Sequence, residues 1–400
     1  MMPTKEVWII EALRTPVGKH GGGLAGVRPD DLAAGVLKTL VERSGIPASE
    51  IEDVYLGCVN QAGEDNRNVA RMSLLLAGLP ENVGGCTLNR LCGSGLEAVA
   101  AATRAILAGE GHVYIGGGVE SMSRSPWIIG KSEKGFHIGN QTLYDTTLGW
   151  RFVNPQLEAL GHTEAMGITA ENLAEMYSIT REKQDLFALE SQRKAMHAME
   201  RGVFSDELVP VQTKKALIAC DEGPRPETTL EKLNSLKPAF KKGGTVTAGN
   251  SSMLNDGAAA LMLVSSEYGR AHGLKPLAKI KGTAIAGVPP RIMGIGPVPA
   301  TDKLLRRLGL QLPDLNLIEL NEAFAAQSLA VLSEWNLDYQ DPRLNPNGGA
   351  IALGHPLGCS GAKLLTTLVH EMKRNENVNL GLVSMCIGVG QGISMVVERV

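Results

Sequence analysis

The chain has 400 residues, 44% of them hydrophobic and 20% charged, a composition that excludes a disordered chain and suits two or more packed domains. Lysine plus arginine (39) against aspartate plus glutamate (42) leaves a net charge of −3, without the basic excess of a nucleic-acid binder. The 6 cysteines include no CxxC pair, so neither a disulfide framework nor a zinc site is expected.

The opening Met-Met-Pro-Thr-Lys-Glu shows no signal or transit pattern and runs into an apolar segment at 7–12 that reads as a buried strand. No apolar run is long enough to span a bilayer, and the expectation is a soluble cytoplasmic protein with no membrane partner. Residues 31–43 place Leu32, Val36, Leu37, Leu40 and Val41 at helical spacing. Strand is expected at 53–58, helix at 68–77, Ala-rich helix at 94–108 and strand at 112–115. This alternation predicts a layered α/β fold. From about 121 to 242 the chain turns polar and irregular, with helices expected at 169–176 and 181–201. That stretch reads as an insertion on the core. Strand pattern returns at 244–248 and 258–264.

The last 130 or so residues repeat the opening organisation. Residues 53–60 resemble 315–321. Ser94-Gly95 before a long helix resembles Ser360-Gly361 before another. Ile115-Gly-Gly-Gly resembles Cys386-Ile-Gly-Val-Gly. Two similar halves would face equivalent loops toward each other, and chemistry would sit where they meet.

Four segments carry candidate chemistry. Cys92 lies between a short strand and a helix, where a helix N-terminus favours a thiolate; a small buried thiol is its ordinary alternative. His355, in a rigid Gly- and Pro-rich loop, suits proton transfer, or is a loop histidine with a satisfied backbone bond. Cys386 ends a strand before Gly388, Gly390 and Gly392, whose turn offers free N–H groups to an oxyanion. Asn321-Glu322 follows an apolar strand, where helix capping alone would explain it. Gly21 to Gly26 matches GxGxxG without the strand–helix context a dinucleotide site needs.

Together the motifs resemble the thiolases, acyl-CoA acyltransferases of the condensing-enzyme superfamily. The resemblance rests on Asn89-Arg-Leu-Cys92-Gly-Ser-Gly-Leu, Gly117-Gly-Val-Glu-Ser-Met-Ser, and Thr247-Ala-Gly-Asn-Ser-Ser252-Met-Leu-Asn-Asp-Gly-Ala-Ala. Asn321-Glu-Ala-Phe, Gly348-Gly-Ala-Ile-Ala-Leu-Gly-His355-Pro and Cys386-Ile-Gly-Val-Gly complete it, in the family's order along essentially the whole chain. It implies duplicated α/β halves in αβαβα layers. The N-terminal half would span 1–270, with a loop domain inserted at about 122–247, and the C-terminal half 271–400. A homodimer or homotetramer is implied, with coenzyme A as substrate and no permanent cofactor or metal.

The resemblance also implies roles. Cys92 would attack the C3 carbonyl of a 3-oxoacyl-CoA, with His355 taking its proton. His355 and a water on Asn321 would hold the enolate, and Cys386 would protonate it. The N–H groups of Cys92 and Gly388 would form an oxyanion hole. Ser252, Arg225 and Met166 match CoA-contacting positions. Residues 63–72 and 145–154 look like the 3-oxoadipyl-CoA branch, although both segments also occur in acetyl-CoA acetyltransferases. Arg151 is a candidate partner for a terminal carboxylate, a structural ion pair being its ordinary role. Ala165 departs from the His that short-chain synthetic members often carry. Cys359 and Cys86 read as packing thiols, the former open to oxidation by its nearness to His355. The rival readings are a ketosynthase, which Cys386 argues against, a catalytically silent acyl-CoA binder, and a nicotinamide dehydrogenase resting on the glycine match alone.

Overall fold

The computed structural model describes residues 5–133 and 135–400. Among the described residues the core is a 10-stranded sheet system built from two halves of one plan. The N-terminal half contains β1 (Val7–Arg14), β2 (Asp53–Gly57), β3 (Gly84–Leu88), β4 (Val113–Ser121) and β5 (Asn255–Ser265), in the order β3-β2-β4-β5-β1. The C-terminal half contains β6 (Ala278–Gly287), β7 (Leu317–Leu320), β8 (Leu380–Ile387) and β9 (Gln391–Glu398), in the order β7-β8-β9-β6, and the tenth strand, the short Gly18–Lys19, pairs with β5.

Strand senses match as well as order. β2 pairs parallel with β3 and β4, as β7 does with β8 and with a single bridge at Leu344. β4–β5–β1 and β8–β9–β6 are antiparallel runs. The segment around Leu344 is thus the second half's counterpart of β3, reduced to one bridge. The duplication suggested by the sequence is a repeat of topology.

The longer helices are α1 (Pro29–Ser44), α2 (Val69–Leu76), α3 (Ser94–Ala108), α4 (Met166–Met176), α5 (Arg181–Glu200), α6 (Pro297–Leu308), α7 (Ala325–Glu334) and α8 (Leu357–Arg374). Strand side chains alternate between two cores, as the strand's period of two requires. Val7 and Ile9 of β1, with Leu261 and Leu263 of β5, pack with α3 and α8 in a central core. Trp8 and Ile10, with Met262 and Val264, pack outward with α1 and α2. In the second half Met385 and Ile387 face the central core, whereas Leu382 packs outward with α6 and α7. The result is the expected αβαβα layering. Burial on both faces explains why these strands read as continuous apolar runs.

The two central helices meet at their glycines. A Cβ on Gly95 would lie 2.7 Å from the Gly358 carbonyl oxygen, and one on Gly361 would lie 2.5 Å from the Leu96 nitrogen. A side chain at either position would push the helix starts apart. The segment Leu91–Ala108 is long and apolar enough to cross a membrane by length and composition, which corrects the sequence expectation, but 67% of it is buried inside this layer. It is a core helix.

The chain leaves the sheet after Ser121 and returns at Asn255. Arg14, fully buried at the end of β1, ties the inserted stretch down. Its guanidinium binds Glu207 at 2.6 Å and Asp221 at 2.7 Å. α4 starts at Met166, ahead of the expected 169. The strand expected at 244–248 does not form. Its N–H groups are taken by side chains: the Glu171 carboxylate accepts from Thr245 and Val246, and Asn250 Oδ1 accepts from Thr247. A ladder would need those same donors.

Candidate active site

Cys92 sits in a turn between β3 and α3. Leu91 adopts a left-handed φ of 46°, an unfavourable conformation for a branched side chain. Local side chains hold it there. Asn89 Oδ1 accepts from the Leu91 N–H at 2.9 Å, and the Ser94 hydroxyl donates to the Leu91 carbonyl at 2.6 Å. The Cys92 thiol is directed toward the Gly388 N–H, which favours its ionised form. Burial nevertheless dominates and pushes the thiol above its ordinary value of 9.0. This corrects the expectation of a resting thiolate at a helix N-terminus.

His355 lies just before α8 and is 4% exposed. Its backbone N–H donates to Asn255 Oδ1 at 2.8 Å. Its Nδ1 is 2.5 Å from the Ser360 hydroxyl, and that hydroxyl donates its own proton to the Pro356 carbonyl at 2.8 Å. Ser360 can therefore only accept from the ring, so Nδ1 carries the hydrogen and Nε2 carries the lone pair. Nε2 stands 3.4 Å from Asn321 Nδ2. Burial, with the nearby Lys363 ammonium second, lowers His355 to about 3. The histidine is a neutral base with its lone pair turned into the site.

Asn321 does not cap a helix. The N-cap of α7 is Phe324, and Asn321 is held by its backbone N–H on the Ser384 carbonyl at 3.0 Å. Its Oδ1 is buried without a partner among the described residues, so it is placed to accept from a group that enters the site. Glu322 braces this segment. Its carboxylate accepts from Ser191, Asn345 and the Ile351 N–H, joining α5 to the loop before His355.

Cys386, at the end of β8, is buried, and its thiol is pushed far up by burial and by the neighbouring Cys92. It packs with Met166, Met293, Ala323 and Phe324. The turn beyond it keeps Gly388 open. A Cβ there would lie 3.4 Å from Leu91 and 3.5 Å from Met166. Val389 and Gly390, at φ 61° and 83°, reverse the chain into β9.

The structure lines up the three residues matched to CoA contacts. The Arg225 guanidinium touches the Met253 sulfur at 3.4 Å, and the adjacent Ser252 donates its backbone N–H to the Ala323 carbonyl at 3.0 Å. Ala323 and Met166 belong to the Cys386 cluster. Arg225 is exposed, and through Met253, Ser252 and Ala323 a series of contacts joins it to the residues packed on Cys386.

Sequence reasoning missed the residue that joins the loops. Glu120, at the end of β4 and buried, accepts from the N–H groups of Val59, Asn60 and Gly358 at 3.0, 3.1 and 2.8 Å. Burial pushes it up to about 7. It lies within a quoted motif, and its signal was an acidic residue in an otherwise apolar, Gly-rich strand. Cys58, Asp65 and Glu120 offer atoms within 4.8 Å of one another, but the Glu120 oxygens already serve those three donors. Cys359 is a packing thiol as expected. Its burial pushes it up to about 12, which removes the thiolate that oxidation requires. Arg151 forms no ion pair among the described residues; it contacts the Asn60 carbonyl at 3.4 Å.

The thiolase N-terminal domain family model matches residues 7–267, and the thiolase C-terminal domain model matches 274–399. The chain belongs to the thiolase family. It is 55% identical to a beta-ketoadipyl-CoA thiolase of Pseudomonas knackmussii over 99% of this chain and 100% of that protein. It is 49% identical to an acetyl-CoA acetyltransferase of Escherichia coli K12 over 99% of each. The human mitochondrial 3-ketoacyl-CoA thiolase, solved in complex with CoA, superposes with a TM-score of 0.93 at 39% identity, covering 99% of this chain and 98% of that one. The chain is accordingly an acyltransferase of the 3-oxoacyl-CoA thiolase kind.

Two outcomes follow from the geometry. With Cys92 held above its ordinary value and His355 neutral, the resting thiolate fraction keeps rising with pH. Alkylation of Cys92 by iodoacetamide should therefore increase steadily from pH 6 to pH 9, on the order of tenfold per unit. A plateau below pH 7 would show a preformed thiolate–imidazolium pair. Ser360→Ala removes the acceptor that fixes the His355 tautomer. It should lower kcat by about tenfold, the worth of one hydrogen bond, with KM for CoA little changed. Recovery in Ser360→Thr would separate this positioning role from a packing defect, and an unaltered kcat in Ser360→Ala would contradict it.

Proposed function

We propose that the chain cleaves 3-oxoadipyl-CoA with coenzyme A to give acetyl-CoA and succinyl-CoA, through an acyl group carried on Cys92. The observation that carries the mechanism is the Nε2 lone pair of a neutral His355, fixed by Ser360 and facing Asn321.

His355 Nε2 takes the Cys92 proton as the sulfur attacks C3. The C2–C3 bond then breaks and leaves an acetyl-CoA enolate. The Nε2–H just formed and a water on Asn321 meet that charge. Cys386, kept neutral by burial, gives its proton to the enolate carbon and becomes a thiolate. Acetyl-CoA leaves. An incoming CoA thiol passes its proton to Cys386 and attacks the Cys92 acyl group. The N–H groups of Cys92 and Gly388 receive the oxyanion, and His355 returns its proton to the departing Cys92 sulfur. Both thiols and the histidine finish as they began. No metal or bound redox group enters any step. Arg225, Ser252 and Met166 contact CoA in this reading.

The 3-oxoadipyl substrate is supported by the higher full-length identity to the beta-ketoadipyl-CoA thiolase, 55% against 49% for the acetyl-CoA acetyltransferase. The test compares kcat/KM for thiolysis of 3-oxoadipyl-CoA and acetoacetyl-CoA by the purified protein. We expect a preference for 3-oxoadipyl-CoA of about tenfold or more, the worth of one well-placed charged contact. A preference for acetoacetyl-CoA would make the chain a general acetyl-CoA acetyltransferase.

A further inference from the structure

The proposed substrate ends in a carboxylate, which a site of this burial must pair with a cation. The half-buried arginines of this chain spend their guanidinium groups inside the fold. Arg90 pairs with Glu97, Arg124 with Glu64, Arg181 with Asp185 and Arg343 with Asp341. Arg71 binds the carbonyls of Val83 and Glu81, and Arg399 binds those of Val378, Met372 and Asn375. Arg151 is half-buried too, yet among the described residues its one hydrogen bond is the long 3.4 Å contact to the Asn60 carbonyl. A guanidinium carries five N–H donors, so most of this one is unspent.

Its position is built. Gly149 at φ 85° and Phe152 at φ 52° form the bend that presents Arg151, and the Phe152 ring packs on Tyr144 at 4.9 Å. The Asn60 side-chain amide donates to the Ser125 hydroxyl at 2.7 Å and to the Thr146 carbonyl at 2.9 Å, which fixes residue 146 beside residue 60. The same Asn60 segment reaches both arms of the reaction centre. Glu120 ties its N–H groups to Gly358, just past His355. Asn89, in the Cys92 turn, donates to the Val59 carbonyl at 3.1 Å. Arg151 therefore stands one hydrogen bond from the loop that links the nucleophile turn to the histidine loop. It is also outside the Arg225–Ser252–Met166 set proposed for CoA.

We propose that Arg151 is the carboxylate-binding residue of the acyl pocket, its planar fork receiving the terminal carboxylate of 3-oxoadipyl-CoA and of the succinyl group left on Cys92. The assignment rests on the thiolase site proposed above and specifies the substrate class, 3-oxoacyl-CoA thioesters with a terminal carboxylate. Bidentate pairing explains why an arginine suits this place better than a lysine.

The experiment measures kcat/KM for 3-oxoadipyl-CoA and for 3-oxohexanoyl-CoA, which has the same carbon chain ending in methyl. The ratio of the two isolates the carboxylate from chain length, and general damage to the site cancels in it. In Arg151→Gln the ratio should fall about 10- to 100-fold relative to wild type, the range for a charged hydrogen-bonded contact. A fall of less than tenfold overturns the assignment. Arg151→Lys, which keeps the charge without the fork, should lower the ratio about threefold or more, and it carries the test if the glutamine variant does not fold; an unchanged ratio there is contrary to the proposal. Failure of the substrate reading is distinguishable, because it shows in the wild type alone as a ratio of one or less. A high wild-type ratio that survives Arg151→Gln removes only the role of Arg151.

Discussion

The close approach of two helix starts governs this molecule. α3 and α8 belong to equivalent places in the two halves; α3 begins with Ser94-Gly95, and α8 carries Ser360-Gly361 close behind its first residue, Leu357. Gly95 and Gly361 let these starts meet backbone against backbone. Cys92 lies two residues before α3 and His355 two residues before α8, so the contact that closes the middle layer also draws together the turns that carry the proposed nucleophile and base. The end of β8 and the turn beyond it supply Cys386 and Gly388 from the C-terminal half. Folding and site assembly are the same event here. A side chain added at either glycine would disturb both.

Burial then sets the chemistry. In this site desolvation is the largest influence on Cys92, Cys386 and His355, and each is kept neutral. A neutral thiol beside a neutral imidazole stores no charge in the resting state. In the proposed mechanism charge develops only as substrate enters and bonds rearrange, and fixed N–H donors such as that of Gly388 would meet it. Hydrogen bonds do the remaining placement. Ser360 selects the histidine tautomer, and Asn255 holds the histidine backbone. Glu120 gathers the backbone N–H groups of Val59, Asn60 and Gly358, and Glu322 accepts from the Ser191 and Asn345 side chains and the Ile351 N–H. These supports sit outside the reacting atoms, yet each defines where a reacting atom stands.

Much of this was legible in the sequence. The apolar runs at 7–12 and 258–264 are strands, and the helix at 94–108 holds its bounds. The landmarks that suggested duplication fall on β2 and β7, on α3 and α8, and on β4 and β8, at matching places in both halves. What was not legible depended on long-range contact. The run at 244–248 has strand composition, but Glu171, some 75 residues away, takes its donors. The polarity of the Cys92 environment was misjudged, because a helix N-terminus can be read locally whereas burial by the other half cannot. Ser360 was noted only as a landmark of the repeat, since its bond to His355 closes a loop that spacing alone does not reveal. Arg151 was expected in an ion pair, and its lack of a carboxylate partner among the described residues emerges only from the fold.

The central claim is that Cys92 carries the acyl group while His355 and Cys386 move protons. The most direct measurement incubates the enzyme with 3-oxoadipyl-CoA in the absence of free CoA, quenches in acid and maps the adduct by peptide mass spectrometry. A succinyl group is expected on the Cys92 peptide, removed when CoA is added before the quench. A succinyl group on Cys386 instead, or turnover with no acyl group on either cysteine, would contradict it.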